Sequence, residues 1–433
     1  MKILLVHYRY YEWGGPERYL FNITNILKAA GHEVVPFSVQ HEDNQRSEFA
    51  RFFVPAISGS RAKRFNEESL TPSLVWRKLE RTFYSPNVES SLGRLIDETR
   101  PDVAYLMQFM RHLSPAVIVA AKRRRLPVVV RLSDYELVCP EAHLLRQGRV
   151  CEDCVSSGSF WPSVRHGCVN NSRLQSAVNA LARELHDANG YLNLIDRMVT
   201  PSRVVLEKMV EGGFARERLT TIPTFVDSER FTPGSVLASQ RKAIAYVGQL
   251  RPEKGVDVLL KAWSAVKPEA HEKGIRLVIA GSGPPEYMQE LHGLAADDAT
   301  VSFVGALDAD GVARLYQDAR VTVIPSVWYE NLPNSLLESY AAGTPVVASA
   351  IGSLAEFVTN EQTGWTFTPG DAADLARKLA NALADDRIDA MSACVRQRAV
   401  DDHHGELHLK RLLAVFRELS LETQPEEEPA LWI

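Results

Sequence analysis

Two series of short, nearly continuous apolar runs constrain this chain more than any other feature. In the first half they read KILLV, EVVPF, DVAYLM, PVVVRL, RMVT and LTTIP. In the second they read AIAYVG, RLVIAG, VSFVG, RVTVIPS, TPVVAS and GWTF. Helical stretches separate them. A strand with one wet face alternates apolar and polar residues, whereas a strand covered on both faces does not. The runs therefore predict parallel sheets layered between helices, and two series predict two doubly wound α/β domains. Length agrees, because 433 residues exceed what one core ordinarily organises.

Pro, Ser, Gly and charge cluster at 223–242, which marks the expected seam. The expected units are residues 1–228, residues 229–404, and a helix with a mobile tail over 405–433. Leu407, Leu412, Leu413, Val415 and Phe416 give that helix one apolar face. A net charge of -5 offers no basic field for nucleic acid. No apolar run approaches the roughly 20 residues of a membrane span. The opening MKILLVHY reads as a buried strand rather than a signal peptide. A cytoplasmic protein is expected, with peripheral contact at the membrane inner face as an open alternative. The basic KRRR at 122–125 reads as cations at a helix C-terminus, with a membrane surface as the second reading. The stretch 60–84 is another candidate for acceptor or lipid contact.

Ligands of open α/β sheets bind beyond the carboxyl ends of the strands, so the loops there carry the chemistry. After the first strand, Gly14 and Gly15 precede Pro16, expected at the first helical position, and Gly31 closes the helix. Such a turn lets backbone approach a phosphate; an ordinary tight turn is the alternative. In the second half, Arg251 and Lys254 sit on a loop suited to a diphosphate, and Gly281, Ser282 and Gly283 form another turn. A solvated loop and a plain turn are the alternatives.

The stretch YENLPNSLLES, 329–339, is more specific. Glu330 precedes a helix that Pro333 is expected to start, and Glu338 lies inside it. Amides from Leu332 to Asn334, beside Asn331, would hold a diphosphate at the helix dipole. Each glutamate would accept hydroxyl hydrogen bonds on one side of that diphosphate. A sugar nucleotide has hydroxyls in both places. A capped helix with two solvated glutamates is the competing reading.

Four of five cysteines crowd together: Cys139, Cys151, Cys154 and Cys168. The C-x2-C pair plus two more fits a tetrahedral structural zinc site, with His143 and His166 as reserve ligands. Free thiols and disulfides are the alternatives, disulfides being disfavoured in a cytoplasmic chain. Cys394, alone in a helical stretch, reads as a core residue.

The ensemble resembles the retaining glycosyltransferases known as glycosyl transferases group 1. The resemblance runs over nearly the whole chain: GGPER at 14, RPDVAYL at 100, SDYELVCP at 133, TPSR at 200, IPTFVD at 222, VGQLRPEKG at 247, AGSGP at 280, and the glutamate pair before AAGTPVVAS. It implies the GT-B fold, two Rossmann-like domains facing across a cleft. The N-terminal one, with a Cys-rich insertion at about 139–168, is then the acceptor side and the C-terminal one binds the nucleotide sugar. It further implies that Glu330 contacts the donor sugar, Glu338 the ribose and Lys254 the donor phosphate. Arg251, Gly248, Gly281, Gly283 and the Gly14–Gly15 turn would share donor binding. Ser133 and Asp134 would lie on the acceptor side. The implied activity is transfer from a nucleotide-diphosphate sugar to a glycan, lipid-linked or small-molecule acceptor, in surface polysaccharide or glycoconjugate synthesis, without a catalytic cofactor. Two positions depart from the family pattern. Gln249 stands where Arg is frequent, and Ser133 stands where His is frequent. They motivate the alternative of a non-catalytic sugar-nucleotide-binding or scaffold protein. A phosphorylase of the same fold is a third reading, for which the chain is short.

Overall fold

The computed structural model describes residues 1–57, 71–296 and 298–422. The tail expected to be mobile lies outside the described residues, as does the first part of the 60–84 stretch. All the apolar runs form strands. In the N-terminal half these are β1 (Lys2–Val6), β2 (Glu33–Phe37), β3 (Val103–Met107) and β4 (Val128–Arg131). A small antiparallel hairpin follows, β5 (Leu145–Arg146) with β6 (Arg149–Val150), and then β7 (Arg197–Thr200) and β8 (Leu219–Thr221). The hairpin, made of two-residue strands, left no periodic trace in the sequence. The second half supplies β9 (Ala243–Val247), β10 (Arg276–Ala280), β11 (Val301–Gly305), β12 (Ala319–Ile324), β13 (Val346–Ser349) and β14 (Gly364–Phe367).

Each domain is one parallel sheet with helices on both faces. The first is ordered β2-β1-β3-β4-β7-β8, the second β11-β10-β9-β12-β13-β14. Alternate residues of β1 bury on opposite faces: Leu4 and Val6 against Leu92 and Leu95, Ile3 and Leu5 against Leu20 and Ile23. That two-sided burial is why the runs do not alternate. Edge strand β11 is the least covered, with Val304 exposed.

The order of connection reverses between β1 and β3 in one sheet and between β9 and β12 in the other. Helices leave in opposite directions at such a point and open a crevice at the strand ends. The loops after β1, β3, β9 and β12 therefore meet where the two domains face each other.

The chain crosses between domains twice. Helix Gly405–Glu422 returns to the first domain, where Leu412 and Phe416 join the cluster around Tyr105 and Leu20. The crossings touch: the Val226 N–H donates to the His403 carbonyl at 2.9 Å. Beneath them, His408 Nδ1–H donates to the Pro223 carbonyl at 2.7 Å, and Tyr19 O–H donates to His408 Nε2 at 2.8 Å. Burial, reinforced by the Arg131 charge, pushes His408 down to about 3, and burial takes His403 to about 4.

Three local expectations change. The 15–29 helix starts at Gly15, so Pro16 is its second residue; Gly31 closes it at φ 81° as expected. The 334–341 helix starts at Asn334, and Pro333, at ψ 135°, is its extended cap. Cys394 is exposed on helix Ile388–Asp402, where neighbouring Val395 takes the core position. Three of the four KRRR cations find acids: Lys122 pairs with Asp196 at 2.8 Å, Arg124 with Asp97 at 2.6 Å, and Arg123 with Glu89. Among the described residues no helix is long and apolar enough to cross a membrane.

Candidate functional site

The crevice between the domains is a cavity of about 860 Å³. Its C-terminal wall carries Gly248, Arg251, Lys254 and Gly281, then the 330–335 segment and Glu338. Its N-terminal wall carries Gly14, Gly15, Arg18, Ser133 and Asp134. All the donor-side and acceptor-side residues expected from sequence reach this cavity except Gly283, and the four clustered cysteines lie outside it.

The loops after β9 and β12 pack backbone to backbone. The Val327 N–H donates to the Glu253 carbonyl at 3.0 Å, and a Cβ on Gly255 (φ 67°) would lie 2.0 Å from the Pro325 oxygen. This brings Lys254 Nζ to 2.6 Å from Glu330 Oε1. The same oxygen accepts from Ser326 Oγ at 2.7 Å and Trp328 Nε1 at 3.0 Å. Burial opposes the charge on Glu330, but the Lys254 ammonium and these donors outweigh it and hold the carboxyl below its ordinary range. The Glu330 backbone is also fixed, since its carbonyl accepts from Ser353 Oγ at 2.9 Å.

Glu338 lies on the first turns of the helix, buried, with Arg18 of the other domain 3.1 Å away. Burial prevails over Arg18 here and raises the carboxyl above its ordinary range. The buried Tyr316 hydroxyl faces this carboxyl, and Asn331 Oδ1 in the same wall is buried without a hydrogen-bond partner among the described residues.

Leu336 is the first amide of this helix to meet a carbonyl, that of Pro333 at 3.1 Å. Pro333 has no N–H, so the donors available to an anion are the amides of Leu332, Asn334 and Ser335, a correction to the expected set. The 15–29 helix points its own N-terminus at the same place: a Cβ on Gly15 would lie 3.6 Å from Asn334 Nδ2. Two helix dipoles thus converge on one spot. Glu17 is occupied elsewhere, accepting from the Gly14 N–H at 3.0 Å and from Arg9 at 3.1 Å.

Gly281 and Gly283 are glycines for a packing reason. A Cβ on Gly281 would lie 1.8 Å from the Gly248 oxygen, and one on Gly283 would lie 1.8 Å from the Leu250 oxygen. The post-β9 and post-β10 loops touch there, which leaves Gly283 behind the wall.

On the facing wall, Asp134 is held by a chain of hydrogen bonds. His7 Nε2–H donates to Gln108 Oε1 at 3.1 Å, and Gln108 Nε2 donates to Asp134 Oδ2 at 2.7 Å. Gln108 takes φ 42°, rare for a side-chain-bearing residue. Ser133 is half-buried beside it.

The Cys-rich insertion adds Ala142 and His143 to this wall and reaches across. The His143 ring lies 4.9 Å from Trp328, and Glu152 pairs at 2.9 Å with Lys208, whose ammonium sits 5.6 Å over Tyr329. Cys139, Cys151, Cys154 and Cys168 form no disulfide. Among the described residues, Cys151, Asp153 and His166 offer potential ligand atoms all within 4.8 Å of one another; the four sulfurs do not form such a group.

Sequence reasoning missed Arg18, Ser326, Trp328, Tyr316, His7 and Gln108. Arg18 stands in GGPER and Trp328 borders the glutamate motif. Nothing local distinguishes the others, because their partners are distant in sequence.

Two family models match. Residues 14–224 match the glycosyl transferase 4-like domain, and residues 241–385 match glycosyl transferases group 1. A D-inositol 3-phosphate glycosyltransferase of Corynebacterium urealyticum is 32% identical over 243 residues, 51% of this chain and 56% of that protein. An uncharacterised glycosyltransferase of Methanocaldococcus jannaschii is 37% identical over 145 residues, 33% of this chain and 36% of the other. The chain thus spans about half or less of the length of the curated relatives it matches. Among solved structures, sucrose-phosphate synthase from Thermosynechococcus elongatus superposes with a TM-score of 0.69 at 20% identity, covering 97% of this chain and 99% of that one. Anabaena HepE in complex with UDP and glucose gives 0.64 at 16%, covering 96% and 100%. At these identities the superpositions speak for the fold.

Proposed function

The chain belongs to the glycosyl transferases group 1 family and has its GT-B fold, and from that premise we propose that it is a retaining glycosyltransferase acting on a nucleotide-diphosphate sugar. The carrying observation is the pair of carboxylates on either side of the 334–341 helix start, with Lys254 and two helix N-termini between them. The diphosphate would lie on the Leu332, Asn334 and Ser335 amides, with Lys254 and Arg251 as counter-charges and the Gly14–Gly15 turn opposite. Glu330 would meet the sugar hydroxyls and Glu338 the ribose. UDP and glucose in the Anabaena structure are chemically of this kind.

The bond broken is anomeric carbon to diphosphate oxygen; the bond formed is anomeric carbon to acceptor oxygen. If the acceptor attacks from the face the diphosphate leaves, the departing phosphate oxygen takes its proton and no protein nucleophile is required. Donors already aimed at the diphosphate stabilise its developing charge without reorganising. The acceptor would sit against Ser133 and Asp134. A lipid-linked acceptor is supported by helix Pro72–Phe83, which exposes Trp76 at 70% beside Arg77, the chemistry of a peripheral membrane contact on a cytoplasmic face.

A panel of labelled sugar nucleotides tests the reading. Transfer or slow hydrolysis with one of them, anomeric configuration kept, is expected. Binding without either, across the panel, would favour a scaffold role.

A further inference from the structure

We propose that Cys139, Cys151, Cys154 and Cys168 bind one zinc ion through four thiolates, and that this metal fixes the insertion that brings Ala142 and His143 to the cleft. The site is independent of the sugar-transfer reading.

Packing holds the insertion at few points. Its regular elements are the β5–β6 hairpin and two short helices, Asp153–Ser157 and Trp161–His166. Few apolar side chains are buried in it, chiefly Ala142, Leu144, Val155 and Phe160. Against this, Ala142, Leu144 and Gln147 adopt φ of 62°, 49° and 48°, where residues with a Cβ are strained. A segment with little core and a contorted backbone needs a cross-link.

The four sulfurs lie near one another. Cys139 sits in a tight turn in which the Ala142 N–H returns to the Cys139 carbonyl at 2.9 Å, and the amides of Glu141, His143 and Leu144 surround its sulfur. Burial, the larger influence, raises this thiol, and the amides work against it in favour of the thiolate. Cys151 follows the hairpin, and Cys154 lies one turn on in a short helix. Cys168 follows the Gly167 left-handed cap of the next helix. Cys154 lies within electrostatic reach of the other three sulfurs, and Cys168 within reach of Cys139 and Cys151. Asp153 and His166 satisfy each other at 2.6 Å and clip the two short helices together, so they frame the site and need not ligate it. Zinc at about 2.3 Å from each sulfur would set the sulfurs roughly 3.8 Å apart, closer than the four stand as a set here, so the loop must close in on the metal. Four S–H bonds break, four Zn–S bonds form, and four protons leave to water; no electron moves. The resulting charge of two minus is met by Arg111 near Cys139 and Arg146 near Cys168. With four protein ligands no position stays open, so the metal is structural.

What it supports is specific. His143 follows Cys139 in the same turn and packs on Trp328, whose indole holds Glu330.

The test uses the full chain purified without chelator. Elemental analysis is expected to give about one zinc per chain, and a thiol reagent to titrate one cysteine, Cys394, until chelator is added. Cobalt exchange should give intense thiolate-to-metal charge-transfer bands. Cys154→Ser should lose the metal, and Cys394→Ser and Asp153→Asn should retain it. Should Cys154→Ser fail to fold, the cobalt spectrum and thiol count of the unaltered chain decide alone. Five fast-reacting thiols without metal overturn the proposal. So do iron in place of zinc, or cobalt binding that depends on Asp153 and His166 but shows no thiolate bands.

Discussion

The Arg18 guanidinium lies 3.1 Å from the Glu338 carboxylate, so the two domains are joined across the cleft by the side chain assigned to ribose. A donor entering here must share or displace Arg18. Glu338 is held above its ordinary carboxyl range by burial, only partly offset by Arg18.

Glu338→Gln should therefore separate stability from binding. A carboxyl whose pKa rises on folding favours the fold below its ordinary value of 4.5 and opposes it as pH climbs through the raised value. The variant should melt higher than wild type at pH 7–8, with the advantage vanishing near pH 4.5. Donor affinity should drop, because a charged hydrogen bond is worth about 1.5–3 kcal/mol, or roughly 10- to 150-fold. Calorimetry at two pH values reads both; a variant that melts higher and binds donor equally well would remove the ribose role.

Lys254→Ala should weaken free nucleoside diphosphate and intact donor together, each by about 1.5–3 kcal/mol. It should also release Glu330 upward in pKa, since the Lys254 charge is the foremost influence opposing burial there. Isothermal titration with both ligands checks it. Loss confined to the intact donor would transfer the role of Lys254 from phosphate to sugar.

Gly283→Ala should harm the fold and leave the wall of the cleft intact. Its Cβ would meet the Leu250 oxygen at 1.8 Å, and overpacking costs about 1–3 kcal/mol. A lower melting temperature with unchanged donor affinity of the folded protein is expected. Reduced affinity at full stability would return Gly283 to the binding set.

His403 and His408 should make the domain crossing acid-sensitive. Both are held neutral, pushed to about 4 and about 3 against an ordinary 6.5. Below pH 6.5 the unfolded chain takes up protons that the folded chain refuses, so stability falls as pH drops from 6.5 toward 4. Melting curves from pH 7 to 5 should show that decline. A His403→Gln, His408→Gln double variant should flatten it.

Trp76→Ser should reduce sedimentation with vesicles containing anionic lipid while leaving the circular dichroism spectrum unchanged, because the indole is 70% exposed and supports no core. Equal sedimentation would place any membrane contact elsewhere.

Strand positions were legible because burial on two faces writes itself into consecutive residues. Ile3, Leu4, Leu5 and Val6 are all covered, and no other local arrangement requires that run. The glutamate motif was legible for a similar reason: the helix start, its dipole and the spacing of Glu330 from Glu338 are local. Pro333 was misplaced by one residue because a cap and a first turn differ only in ψ. Gly283 looked identical to Gly281, since both obstructing carbonyls come from a loop after a different strand.

Composition, periodicity and short motifs, which act through neighbours along the chain, determined two parallel-sheet domains and the loops that carry the chemistry. They could not determine which of those loops touch, for that depends on the strand order β9 beside β12 and β1 beside β3. Only tertiary packing brought Lys254 to Glu330, Arg18 to Glu338 and His7 through Gln108 to Asp134. An ion pair or hydrogen bond forms over about 3 Å of space and is indifferent to separation along the chain, so each of these partners became visible only once the sheets had stacked their strand ends on a common cleft.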